Sequence, residues 1–142
     1  MTRSKISPDL ITSYQTAGYQ AVVDTDPITL HIDQYSAPLN QILTRFEYQC
    51  AAFITASNPL SQQKSSQINQ IRNTQLRNAL TQHTHLVFEG VSTDPAELWP
   101  AEKSFLALGI NLKTAMLLGK QFDQNAVVWA DSDAIPRLIL LR

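Results

Sequence analysis

Apolar residues change their spacing repeatedly along this chain, and each change marks an element. Tyr19 to Val23 and Ile28 to Ile32 are rich in β-branched and aromatic residues, which predicts two strands. The polar Asp24-Thr25-Asp26-Pro27 between them suits a hairpin connection. After Ser36, the residues Leu39, Ile42, Leu43 and Phe46 recur at helical spacing with Pro38 in the first turn, predicting a capped helix laid on a sheet. Cys50 to Ala56 lacks polar alternation, so it reads as a strand covered on both faces near the middle of the sheet. A longer helix is predicted from Ser65 or Ser66 to about Gln82, with Ile68, Ile71, Leu76, Ala79 and Leu80 as its inward stripe.

Leu86 to Val91 resumes strand character, and a loop follows from Ser92 to Lys103. Then come a strand over Ser104 to Leu108, a helix from Leu112 to about Lys120, and strands over Ala126 to Ala130 and Leu138 to Leu141. Ser7-Pro8 also predicts a short helix over Asp9 to Thr16 ahead of all these. The main order β-β-α-β-α-β-β-α-β-β mixes hairpins with helical crossovers. An α+β fold with a mixed or largely antiparallel sheet suits it better than a doubly wound one.

Composition narrows the classes. A length of 142 residues with 44% hydrophobic residues is enough for one domain, spanning residues 1–142, with its own core. Charged residues make up 16% and the formal net charge is -1, which argues against a protein that grips nucleic acid chiefly by neutralising phosphates. Cys50 is the single cysteine, read as a small buried hydrophobe rather than a reactive thiol. No secretory signal is read at the N-terminus and no apolar run is long enough to span a bilayer, so a cytoplasmic protein without membrane association is expected. His83 and His85 lack a third ligand nearby, so no metal is expected, and no cofactor motif appears.

Polar chemistry gathers at three places. Thr55, Asn58 and Ser61 follow an apolar strand, with Pro59 stiffening the turn before a helix N-terminus. On that helix Asn69 and Asn73 stand four apart, on the same ridge as Leu76 and Leu80. Asn is a poor helix former, so these amides either reach a ligand or hold the Asn58 to Ser61 turn. Arg72 and Arg77 nearby either meet an anion or form a solvated face. In the second cluster Glu102 and Ser104 are two apart at a strand start, pointing to one side. Trp99 beside them either stacks on a ring or covers the end of the core. Glu102 is the nominated general base, since partial burial would raise its pKa. In the third cluster Gln124 follows a helix end, where it either reads a polar ligand edge or ties off helix carbonyls.

Three stretches, Ile54-Thr55-Ala56-x-Asn58-Pro59-x-Ser61 with Asn69, Trp99-Pro100-x-Glu102-x-Ser104-Phe105, and Phe122-x-Gln124-x-Ala126, resemble a bacterial family known as domain of unknown function 3293. The likeness extends from Tyr14-Gln15-Thr16 and Tyr19 to Trp129. Ser57 stands where an aromatic residue is expected, and Asp123 where a glycine is usual. The resemblance implies no activity; it does imply that the three clusters form one site.

The expected function is therefore binding of a polar small molecule or nucleotide-like ligand in a pocket of Thr55, Asn58, Ser61, Asn69, Asn73, Glu102, Ser104 and Gln124. If it is an enzyme, hydrolase or transferase chemistry is expected, with Glu102 activating water or a hydroxyl and Asn58 steadying negative charge. The alternative is a non-catalytic protein-interaction or regulatory module whose polar clusters only pin loops. A base-handling enzyme is a third reading, opposed by the charge balance.

Overall fold

The computed structural model describes residues 4–142. Its elements run α1 (Pro8–Thr16), β1 (Gly18–Val23), β2 (Asp26–Leu30), α2 (Ala37–Phe46), β3 (Ala51–Ile54), α3 (Ser66–Thr81), β4 (Val87–Thr93), β5 (Glu102–Leu108), α4 (Leu112–Gln121), β6 (Ala126–Ala130) and β7 (Arg137–Leu140). A short 3-10 turn, Pro59–Ser61, precedes α3. The fold is α+β, and every strand pairing in its seven-stranded sheet is antiparallel, in the order β2-β1-β4-β5-β3-β6-β7.

The middle of the sheet is covered on both faces, which explains why β3 and β5 show no polar alternation. Ala51, Phe53, Leu106 and Leu108 join a core with Leu39, Ile42 and Leu43 of α2. Their neighbours Ala52, Ile54, Phe105 and Ala107 join a second core with Leu76 and Leu80 of α3 and Ala115 and Leu118 of α4. β3 and β5 therefore alternate between two apolar layers instead of between core and water.

Helix starts follow their caps. The side chains of Ser7, Ser36, Ser65 and Asn111 each accept a backbone N–H of the following first turn, satisfying donors that the helix itself leaves open.

Several expectations change on contact with the fold. The inward stripe expected of α3 includes Ile68 and Ile71, yet they are 46% and 54% exposed. The face that α3 buries carries Asn73, Leu76 and Leu80, because its first turns lie against the polar Asn-Pro turn. The β1–β2 connection is tighter than Asp24 to Pro27: Val23 pairs with Asp26 and Val22 with Pro27, leaving Asp24 and Thr25 as the turn, with Asp24 at φ 59°. Pro27 is tolerated because β2 is an edge strand. The loop expected from Ser92 to Lys103 shrinks to residues 94–101, since Ser92 already pairs with Glu102. Cys50 is half-buried rather than buried; its thiol donates to the Ile110 carbonyl, and burial followed by the Asp131 charge pushes its pKa up. Among the described residues no helix is long and apolar enough to cross a membrane.

Candidate functional site

β3 ends at Ile54, and the chain then turns through three left-handed residues, Asn58 at φ 47°, Leu60 at φ 55° and Ser61 at φ 60°. Asn takes this conformation readily, whereas Leu does so only when its surroundings impose it. The imposition comes from two helices. On the α3 side Asn69 Oδ1 accepts the Asn58 N–H at 2.9 Å and its amide donates to Asn58 Oδ1 at 2.9 Å. Buried Asn73 accepts the Ala56 N–H at 2.9 Å and donates to Ser57 Oγ at 2.8 Å. Arg72 donates to the carbonyls of Ala56 and Phe122. From the end of α4, the Asp123 carbonyl accepts the Leu60 N–H at 2.6 Å, and Gln124 Nε2 donates to Ser57 O and Phe122 O, both at 3.1 Å.

The turn thus delivers one amide hydrogen to a carboxylate on a different strand. Asn58 Nδ2 donates to Glu102 Oε2 at 2.8 Å, while Asn58 Oδ1 is held by the Lys64 N–H at 2.9 Å. Glu102 opens β5 on the same face as Ser104, whose hydroxyl donates to the Glu102 carbonyl at 3.0 Å. Burial drives the Glu102 carboxyl up to about 7, against the opposing pull of the Asn58 hydrogen bond. A buried carboxylate loses hydration that one amide only partly replaces.

Glu102 faces a cleft of about 50 Å³, which it shares with Thr55, Asn58, Ser61, Ser104 and Gln124. Asn69 and Asn73 stand elsewhere: with Asn58 they line a wider groove of about 560 Å³ beside α3, and their amides hold the turn. Arg77 also lines that groove, 3.5 Å from Glu89. The structure therefore brings together members of all three polar clusters at one cleft and gives the two helical asparagines scaffolding hydrogen bonds.

Residues outside the nominated set complete the cleft wall: Tyr14, Tyr19, Ser92, Trp99 and Asn125, with the apolar Phe53, Ala126 and Leu138. Trp99 donates its indole N–H to Ser13 Oγ at 3.0 Å, and its ring centroid lies 6.0 Å from that of Tyr14. The Tyr19 hydroxyl donates to the Tyr14 carbonyl at 2.6 Å, and burial, reinforced by Tyr14, pushes its pKa up. Tyr14 and Tyr19 are far from the strand-turn in sequence; their only signal was membership of the stretches that carried the resemblance. Asn125 stood next to Gln124 and was legible as a neighbour, not as a participant. Among the described residues no three His, Cys, Asp or Glu side chains converge on a point that could hold a metal.

Asp123 sits at φ 57°, a conformation that glycine adopts without strain, which accounts for glycine being the residue expected there. Ser57 is buried as the acceptor of Asn73, so a hydroxyl occupies the position where an aromatic ring was expected.

The model of a family described as "Protein of unknown function (DUF3293)" matches residues 54–127. This is narrower than the likeness read from sequence: it contains Thr55 through Ala126 of the cleft and leaves out Tyr14 and Tyr19. No curated protein and no solved structure matches the chain.

Proposed function

The chain belongs to the DUF3293 family, and we propose that its Glu102 cleft binds a polar small molecule, with Glu102 as a general base for hydrolysis or group transfer. One observation carries this reading: a half-buried carboxyl, held near 7, has one oxygen tied to Asn58 and borders a cleft walled by hydroxyls, amides and an indole. A base works best when its pKa lies near the working pH. Perturbed carboxyls in clefts are also where chemistry concentrates. Nucleotide-like molecules are the first ligand class to test, because the Trp99 and Tyr14 rings beside the cleft offer stacking surface.

In the reaction, Glu102 would take the proton of a water or substrate hydroxyl as that oxygen bonds to the electrophilic centre of the substrate, and would pass the proton to the leaving group as its bond to that centre breaks. Asn58 would then keep the carboxyl oriented, a positioning role consistent with its hydrogen bond. Asn69, Asn73 and Gln124 support the site by fixing the turn that carries Asn58.

The test is a thermal-shift screen of nucleotides and common metabolites against the intact protein, since a ligand specific to the native state raises its melting temperature by mass action. A hit that Glu102→Gln or Asn58→Ala abolishes supports the site. Hits that both variants retain undiminished would show that the ligand sits elsewhere. Absence of any shift would favour the protein-interaction module.

A further inference from the structure

Resting on the reading above, we infer that the Glu102 cleft recognises a planar amide edge, a carbonyl beside an N–H, rather than a carboxylate or phosphate. The inference begins with a count of hydrogens at Tyr14, Ser61 and Asn125. Asn125 Oδ1 accepts from Arg142 Nη1 at 2.9 Å, which fixes the amide so that its nitrogen faces the cleft wall. Both amide hydrogens are then spent, on Tyr14 Oη at 3.2 Å and Ser61 Oγ at 2.8 Å. These two hydroxyls lie 2.6 Å apart, so one donates to the other. Two hydroxyl hydrogens with one bond between them leave one donor unspent, and both residues line the cleft.

The other wall offers the opposite polarity. Glu102 Oε2 is held by Asn58, and among the described residues Oε1 takes no hydrogen bond. Among the described residues no buried side-chain nitrogen or oxygen lacks a partner, so Oε1 is not fully buried, and Glu102 lines the cleft. An acceptor and a donor that share about 50 Å³ of space match a group of a few heavy atoms: N–H to Glu102, C=O to the Tyr14–Ser61 pair. An anion would meet the Glu102 charge, and no Lys or Arg is among the described residues that line the cleft; Arg142, the cation that reaches this wall, donates to Asn125 Oδ1. Lys103 turns away to pair with Glu89 at 3.2 Å.

The shared chemistry occurs on aliphatic carboxamides and on the lactam edge of nucleobases, so the probes are acetamide and uracil. Controls are N,N-dimethylacetamide, which has no N–H, and acetate. Titrations of the intact protein are followed by NMR at the Trp99 indole and the Asn58 and Asn125 side-chain amides. Acetamide or uracil is expected to give saturable shifts at these groups that strengthen as Glu102 ionises, whereas dimethylacetamide gives none and acetate gains only as Glu102 is protonated.

The hydrogen count adds a distinctive result. Tyr14→Phe or Ser61→Ala alone frees the surviving hydroxyl, so each single variant should bind within about threefold of the parent, while the double variant loses roughly five- to tenfold, the worth of one neutral hydrogen bond. Equal, additive losses in the two single variants would overturn the donor assignment. Failure of both amide probes to shift these groups would overturn the amide edge. If screening hits still perturb Glu102 in that case, the site stands and only the ligand class falls. If nothing perturbs it, the general-base reading falls too. The pH comparison of acetamide with acetate needs no variant, so it decides the matter even if the double variant fails to fold.

Discussion

Glu102 retains its proton to about 7 in the folded protein, against an ordinary value of 4.5, and this fixes the sign of one pH dependence. Below about 4.5 the group is protonated folded or unfolded; between there and about 7 only the folded state keeps the proton. Stability therefore falls as pH rises through this window. The loss is roughly 3 kcal/mol at the upper limit, and less here because Glu102 keeps part of its surface in water. Glu102→Gln should remove that component: denaturation midpoints of parent and variant, compared at the two ends of the window, should diverge in the variant's favour at the high end. Asn58→Ala removes a bond to the ionised form, so Glu102 should titrate higher still, as carboxyl NMR would record. At this scale the nominations were legible wherever a residue's neighbours in sequence are also its neighbours in space. Thr55, Asn58 and Ser61 flank one turn, and Glu102 and Ser104 share one strand face. Tyr14 and Asn125 were not legible, because only the tertiary fold places a helix of the N-terminal segment against the start of β6.

α3 shows how an element can be placed correctly from sequence, with Leu76 and Leu80 facing inward as expected, while its first turns depart from the expected stripe. Its bounds follow from Ser65 and the apolar recurrence, but that recurrence also includes Ile68 and Ile71, which are exposed. Hydropathy alone cannot reveal that the partner surface of the first turns is a polar turn needing amides, which Asn69 and Asn73 supply. The energetic consequence separates the two kinds of residue. Asn73→Ala would strand the Ala56 N–H in a buried place and remove the donor to Ser57 Oγ, at a cost of about 1–3 kcal/mol. Ile71→Gln should change stability by less than about 0.5 kcal/mol, as surface substitutions do. Urea denaturation of the two variants tests the contrast, and a larger loss for Ile71→Gln would mean that its face is covered. β4 offers a second check: a Cβ on Gly90 would lie 2.3 Å from the Gln20 carbonyl and 3.1 Å from the Phe53 ring, so Gly90→Ala should shift the melting temperature down by several degrees.

Across the whole molecule, β5 and β3 are paired on both sides and packed between two apolar layers, while β2 and β7 are edges. Amide exchange should be slowest in β3 and β5 and fastest in β2 and β7; protection spread evenly over the strands would contradict this hierarchy. The α+β order and the antiparallel tendency could be read from hairpin spacing and crossover length. The strand order could not, since β1 pairs with β4 and β3 with both β5 and β6 across intervening helices, and no local pattern specifies those partners. One of these long-range meetings has a practical consequence. The Asn-Pro turn takes its shape from Asp123 and Gln124 as much as from its own residues, through the bonds to Leu60 and Ser57. Segments 57–61 and 122–124 are one joint made of two pieces of chain, so a loop graft or chimera that exchanges either piece alone would inherit half a hinge and misalign the Glu102 carboxyl it was meant to transplant.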